Sequence, residues 1–184
     1  MEQPGLRRSA VAILLRFDRG SPELLLMKRA ERVGDRWSGQ ISLPGGRESA
    51  GDLDLRATAI RETHEEVGLD LHAVARPLGQ IDTVRARARG AALPLTITPH
   101  VFVQTASAPL VLGDEAVAAF WLPMDRAITG ELSSTYRVHL GERTRDLPCW
   151  NYDGYTIWGL TYMIVHRMLK IVGVDMGREH LIIT

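Results

Sequence analysis

Three glutamates crowd into the stretch RETHEEVGL (61–69): Glu62, Glu65 and Glu66, followed at once by Gly68. On a helix Glu62 stands i,i+3 to Glu65 and i,i+4 to Glu66, so the three carboxylates gather in one place. A like-charged pair at ~6 Å and an effective dielectric of about 20 costs about 3 kcal/mol. The cluster also falls in a last helical turn, where the helix dipole disfavours anions. Local stability does not account for it. A hard divalent cation does, because Mg²⁺ is bound through carboxylate oxygens and water, usually together with substrate phosphates. The plainer alternative is a solvated glutamate face, since glutamate is a good helix former.

The carboxylates need a scaffold. SAVAILLRF (9–17) and ELLLMKR (23–29) are aliphatic runs separated by DRGSP, which predicts a hairpin of buried strands. QISLP (40–44) is a short strand stopped by Pro44 and a Gly45-Gly46 turn. A helix is predicted over 53–67, capped by Asp52 or Asp54 and ended by Gly68 at C′. On its wheel Leu53, Ala57, Ile60, His64 and Val67 share one side, which should pack on the sheet and bury His64 as a structural residue. Further strands are expected over 78–84, 93–104 and 115–123. Pro123 should open a short helix, residues 134–140 alternate as a strand, and 156–172 reads as a buried helix. The mixture predicts an α/β sandwich in one domain spanning 1–184, with its core at about 8–172 and a tail at 173–184.

Composition excludes several classes. The 22 Lys and Arg balance 22 Asp and Glu, so neither a nucleic acid nor an anionic membrane surface is complemented overall. No run approaches the ~20 apolar residues of a membrane span, and no secretory leader is evident. Cys149 is the one cysteine, which excludes an intrachain disulfide and suits a reduced, cytoplasmic thiol.

A resemblance follows from these residues. RETHEEVGL, fifteen residues after Gly46, resembles the core of the Nudix box, R-E-U-x-E-E-x-G-U with U apolar, at Arg61, Glu62, Glu65, Glu66, Gly68 and Leu69. Thr63 stands at the first U position, and Leu53 where the usual box has a glutamate. The resemblance implies an α/β/α sandwich with a mixed sheet, a loop–helix–loop motif, and hydrolysis of a nucleoside diphosphate linked to another moiety. It implies Mg²⁺ or Mn²⁺ as cofactor, with Glu62 and Glu66 as principal ligands. Glu65 would be a further ligand or the base, and Arg61 would orient Glu62. Gly45 or Gly46 would offer a backbone carbonyl, and Glu115 is a second candidate for the base.

LLMKRA (25–30), GQISLPGG (39–46) and IWGLT (157–161) are similar to segments of the coenzyme A diphosphatase branch of that family. Met27 and Leu43 differ from its pattern, and Arg36 is shifted from the arginine expected. The branch implies a substrate with a diphosphate, an adenosine 3′-phosphate and an apolar arm. Arg29, Arg32, Arg36, Gln40 and Arg47 are the candidates to bind it. Trp37 suits either stacking on adenine or packing. Arg85, Arg87 and Arg89 read as a solvated hairpin tip before an anion site. Another nucleotide (ADP-ribose, NADH, an oxidised dNTP) and a non-catalytic binding module stay open as alternatives, and so does a homodimer through the tail.

Overall fold

The two aliphatic runs near the N-terminus form the expected hairpin, β1 (Arg7–Asp18) and β2 (Ser21–Arg29). A computed structural model describes residues 5–35, 37–88, 91–140 and 143–174 of the chain. After the hairpin come β3 (Ile41–Ser42), β4 (Gly45–Arg47), the helix α1 (Leu55–Val67) and a single helical turn, α2 (Leu71–Val74). The strands β5 (Ala75–Gln80), β6 (Val84–Ala88), β7 (Ala91–Gln104) and β8 (Ala116–Pro123) follow. The short helix α3 (Met124–Ile128) precedes β9 (Ser133–Leu140), β10 (Arg143–Tyr152) and β11 (Tyr155–Trp158), and α4 (Gly159–Ile171) ends the described fold.

One mixed sheet runs in the order β3-β2-β1-β7-β5, with β4 also on β1, β6 on β7 and β8 on β2. Only β1–β7 is parallel among these pairs. Leu24, Leu25, Leu26 and Met27 are all 0% exposed, as a strand must be when both faces of its sheet are covered. One face carries α1, over Ala10, Ala12, Leu25 and Phe102. The other carries α4 and the small β9–β10–β11 sheet, whose Tyr162 and Trp150 share one core with Ile13 and Leu26. The chain is thus an α/β/α sandwich. Each fully buried Leu or Ile stabilises it by about 1.5–3 kcal/mol before entropy is counted.

The central feature for function is a fork in the sheet. One edge of β1 is given to β7 along its length. The other edge is shared: β2 takes residues 15–18 and β4 takes residues 9–11. Between them the Ala12 amide donates to the Pro44 carbonyl at 2.8 Å.

Several expectations are corrected. Gly45-Gly46 is not a turn but part of β4, paired with Val11 and Ala10. Asp54 alone caps α1, accepting from the Ala57 amide at 2.7 Å, and Leu53 lies outside the helix, 97% exposed. The buried face of α1 is Thr58, Ala59, Thr63, Glu66 and Val67, turned by roughly one 100° residue step from the expected one. His64 is exposed, not buried. The cause is steric: Ala10, Ala12 and the glycines of β4 let the helix come close on its small-residue side. Thr63 fits there because its hydroxyl donates to the Ala59 carbonyl at 2.7 Å.

Pro123 is the N-cap of α3 rather than its first residue. The strands β10 and β11 were not foreseen, and residues 156–158 extend as β11 because they pair with Cys149–Asn151. The α4 helix therefore starts at Gly159. Arg36, Arg89 and the tail residues 175–184 lie outside the described residues.

Candidate active site

The last turn of α1 faces β4 across the fork. Gly68 ends the helix with φ +74° and donates to the His64 carbonyl, the left-handed stop that its lack of a Cβ allows. Two further carbonyls of that turn are taken by the loop before β8: the Val111 amide donates to Val67 and the Gly113 amide to Glu66, both at 3.0 Å. This docking brings Glu115 to the site from a distant part of the chain.

Glu66 is 1% exposed. Its Oε2 accepts from the Gly45 amide at 2.8 Å, and its Oε1 is buried with no hydrogen-bond partner. Arg29 Nη1 stands 3.7 Å from Oε1. Burial pushes the carboxyl up to about 8, against the pull of the Gly45 amide and of Arg29, and the charges of Glu62 and Glu115 add to the rise. Glu62 lies against Gly46 so closely that any Cβ there would collide with its carboxylate. Burial raises its pKa too, with Arg61 opposing and Glu65 and Glu115 adding.

Arg61 organises this face. Its Nη1 donates to Glu62 Oε1 at 2.9 Å and to Glu65 Oε2 at 3.2 Å. Its Nε and Nη2 grip Asp52 at 2.9 and 3.0 Å, and Nη2 also reaches the Arg47 carbonyl at 3.0 Å. Asp52 in turn accepts from the Ser49 amide and the Thr58 hydroxyl. The Arg61 hydrogen bonds hold it well below the usual carboxylate range. The sequence signal for Asp52 was its place as one of two acids flanking Leu53, but only as an alternative cap.

These donors suit a hard divalent cation. Glu62 and Glu66 share the side of α1 that faces Gly45 and Gly46, and the orphaned Oε1 of Glu66 is costly to bury without a partner. Glu65 is half-exposed and turned to Arg61. Among the described residues no three such side chains already converge as a closed cage, so a third carboxylate would have to leave its arginine.

A cavity of about 880 Å³ opens from this face. Glu62, Glu115, Arg29, Arg32, Gln40, Gly45, Gly46 and Arg47 all line it, as does Trp37, which packs partly against the core. Arg29 is bound to Asp35 at 3.0 Å and Arg32 to Glu115 at 3.0 Å, partners the sequence did not reveal. Arg85 is exposed at the β6–β7 hairpin and donates to the Leu93 carbonyl. It does not line the cavity.

The NUDIX domain family matches residues 6–140. A Nudix hydrolase of Yersinia pestis, NudL, is 31% identical over 170 residues, covering 91% of this chain and 81% of its own. NudL of Yersinia pseudotuberculosis aligns to the same extent. In fold, the Caenorhabditis elegans Ap4A hydrolase superposes with a TM-score of 0.55 at 20% identity, over 67% of this chain and 84% of that one. A MutT/nudix family protein of Enterococcus faecalis does so with 0.59 at 16%, over 94% of this chain and 63% of that one. The chain belongs to the Nudix family: it is a Nudix hydrolase, an enzyme acting on the diphosphate bridge of nucleoside diphosphate derivatives.

Proposed function

We propose that the substrate is coenzyme A or one of its thioesters, split at the diphosphate into 3′,5′-ADP and (acyl-)4′-phosphopantetheine. The observation that carries this reading is convergence. The three segments that resemble the coenzyme A branch all meet at one cavity, through Arg29, Gln40, Gly45, Gly46, Leu160 and Thr161. Thr161 of α4 even ties to β3, its hydroxyl donating to the Ile41 carbonyl at 3.0 Å. The cavity joins a charged end at Glu62 to an apolar wall at Leu95, Ile97, Leu160 and Ile164. A charged diphosphate joined to a long apolar arm fits that division.

Glu62 and Glu66 would hold Mg²⁺ or Mn²⁺, with Glu65 as a further ligand. Such an ion neutralises phosphate oxygens and lowers the pKa of a coordinated water. Arg61 positions Glu62 through their 2.9 Å hydrogen bond, and Asp52 positions Arg61. Glu115 is assigned as the base. It lines the cavity, whereas Glu65 does not, and it is released for proton transfer when a phosphate competes for Arg32. Arg29, Arg36, Gln40 and Arg47 are assigned to substrate binding. The test is hydrolysis of coenzyme A, acetyl-coenzyme A, ADP-ribose, NADH and 8-oxo-dGTP with Mg²⁺, with products identified by mass. The highest kcat/KM is expected for the coenzyme A compounds. A higher value for ADP-ribose or NADH overturns the assignment.

A further inference from the structure

Among the described residues four arginines line the cavity, and they fall into two kinds. Arg29 and Arg32 are each held by a carboxylate, Asp35 and Glu115. Arg7 and Arg47 have no carboxylate partner among the described residues. Strand register puts these two together. Arg47 pairs with Ser9 across β4–β1, and Arg7 lies two residues along β1 from Ser9, about 7 Å away. Residues paired across strands, or two apart on one strand, project from the same face. Arg7 and Arg47 therefore reach out on one side of the sheet, beside Leu95 and Ile97, which pair with Arg7 and Ser9 from β7. Gly46, one residue before Arg47, meets Glu62 on the other face of β4, but Arg7, Arg47 and Glu62 all line the one cavity, so this pair shares the cavity with the metal-binding end without belonging to it.

Two guanidinium groups on one wall repel each other, and the described fold supplies no anion between them. A phosphate dianion matches them, because the planar fork of arginine binds phosphate oxygens two at a time. The apolar residues beside them offer a surface for a flat base.

We propose that Arg7 and Arg47 form a second anion subsite that binds a phosphomonoester on the substrate's nucleoside, about one ribose away from the scissile bridge. They thereby select substrates with that extra phosphate over those without it. The inference rests on the reading of Glu62 and Glu66 as the diphosphate-cleaving end. In coenzyme A the group bound would be the 3′-phosphate.

The experiment compares coenzyme A with dephospho-coenzyme A in the wild type, Arg7→Gln and Arg47→Gln, with folding checked by thermal melts. The wild type is expected to favour coenzyme A by about tenfold in kcat/KM, the worth of one charge-assisted hydrogen bond. In either variant that ratio should collapse towards one, through KM for coenzyme A. A wild-type ratio near one, or a ratio that Arg7→Gln leaves intact, overturns the subsite. Binding of adenosine 3′,5′-bisphosphate against AMP, measured by calorimetry in the same proteins, separates this from the substrate assignment. If coenzyme A is not cleaved, the proposed function fails. The bisphosphate preference and its loss in Arg7→Gln still decide the subsite: no preference, or no loss, overturns it.

Discussion

The Gly45 amide donates to Glu66 Oε2 at 2.8 Å, while the other oxygen of the same carboxylate is buried without a hydrogen-bond partner. One bond to β4 thus fixes the orientation of a side chain whose other oxygen lies 3.7 Å from Arg29 Nη1. The last turn of α1 is aligned to the Gly45-Gly46 strand by this contact and by the seating of Glu62 on Gly46.

Glu66→Gln should keep the fold and the Gly45 hydrogen bond but lose a metal ligand. We expect kcat to fall by at least ~10²-fold. Mg²⁺ should raise the melting temperature of the wild type in the presence of a non-hydrolysable diphosphate. It should do much less for the variant, and NaCl at matched ionic strength should not reproduce the shift. Near-wild-type turnover in a folded Glu66→Gln protein would sink the role assigned to this carboxylate.

The raised pKa of Glu66 has a definite sign. Its folded value of about 8 exceeds the ordinary 4.5, so between these limits the folded state holds a proton that the unfolded state has lost. Stability of the metal-free protein from this group is full below pH ~4.5 and declines as pH rises towards 8. Melts in EDTA from pH 5.5 to 8.5 should therefore show Glu66→Gln gaining on the wild type as pH increases. Mg²⁺ binding at pH 7 should release a proton in the wild type and not in the variant. Calorimetry in buffers of different ionisation enthalpy reads this directly, and equal proton release in both proteins would contradict it.

Asp52→Asn should loosen Arg61. The carboxylate accepts two hydrogen bonds from that guanidinium, and losing a charge-assisted partner costs about 1–3 kcal/mol. We expect lower stability together with a reduced kcat at saturating Mg²⁺, since Glu62 and Glu65 lose their shared positioning residue. Arg61→Lys should not restore wild-type rates, because an ammonium cannot span Asp52 and Glu62 in one plane. A variant that is destabilised but fully active would make Asp52 a purely structural anchor.

Glu115→Gln should lower kcat by about 10²-fold or more, within the range for removal of a general base. Glu65→Gln should lower kcat much less. The opposite pattern would move the base to Glu65. Thermal stability should change little in either case, because the Arg32–Glu115 pair is half-exposed and such pairs contribute ~0–1 kcal/mol.

Much of the reactive segment was legible in order along the chain. The spacing of Glu62, Glu65 and Glu66, the Gly68 stop and the aliphatic runs of β1 and β2 all depend on neighbours within a few residues. Backbone sterics and helical or strand periodicity act over that range, so these features can be read locally. The charge problem posed by the three glutamates was visible for the same reason.

Which side of α1 is buried was decided in three dimensions. Apolar periodicity pointed to Leu53 and His64, yet Leu53 and His64 are exposed and Glu66 is buried. Close approach of the helix to Ala10, Ala12 and the β4 glycines outweighed the hydrophobicity of single side chains, because a small-residue surface permits tight packing that Leu53, outside the helix, cannot join. The β10–β11 hairpin turns at Asp153-Gly154, a local signal that the apolar run after it obscured, whereas the pairing of Arg32 with Glu115, 83 residues apart, was beyond local reading. Contacts of that range come from loop docking and strand register across the whole sandwich, and no short window of sequence encodes them.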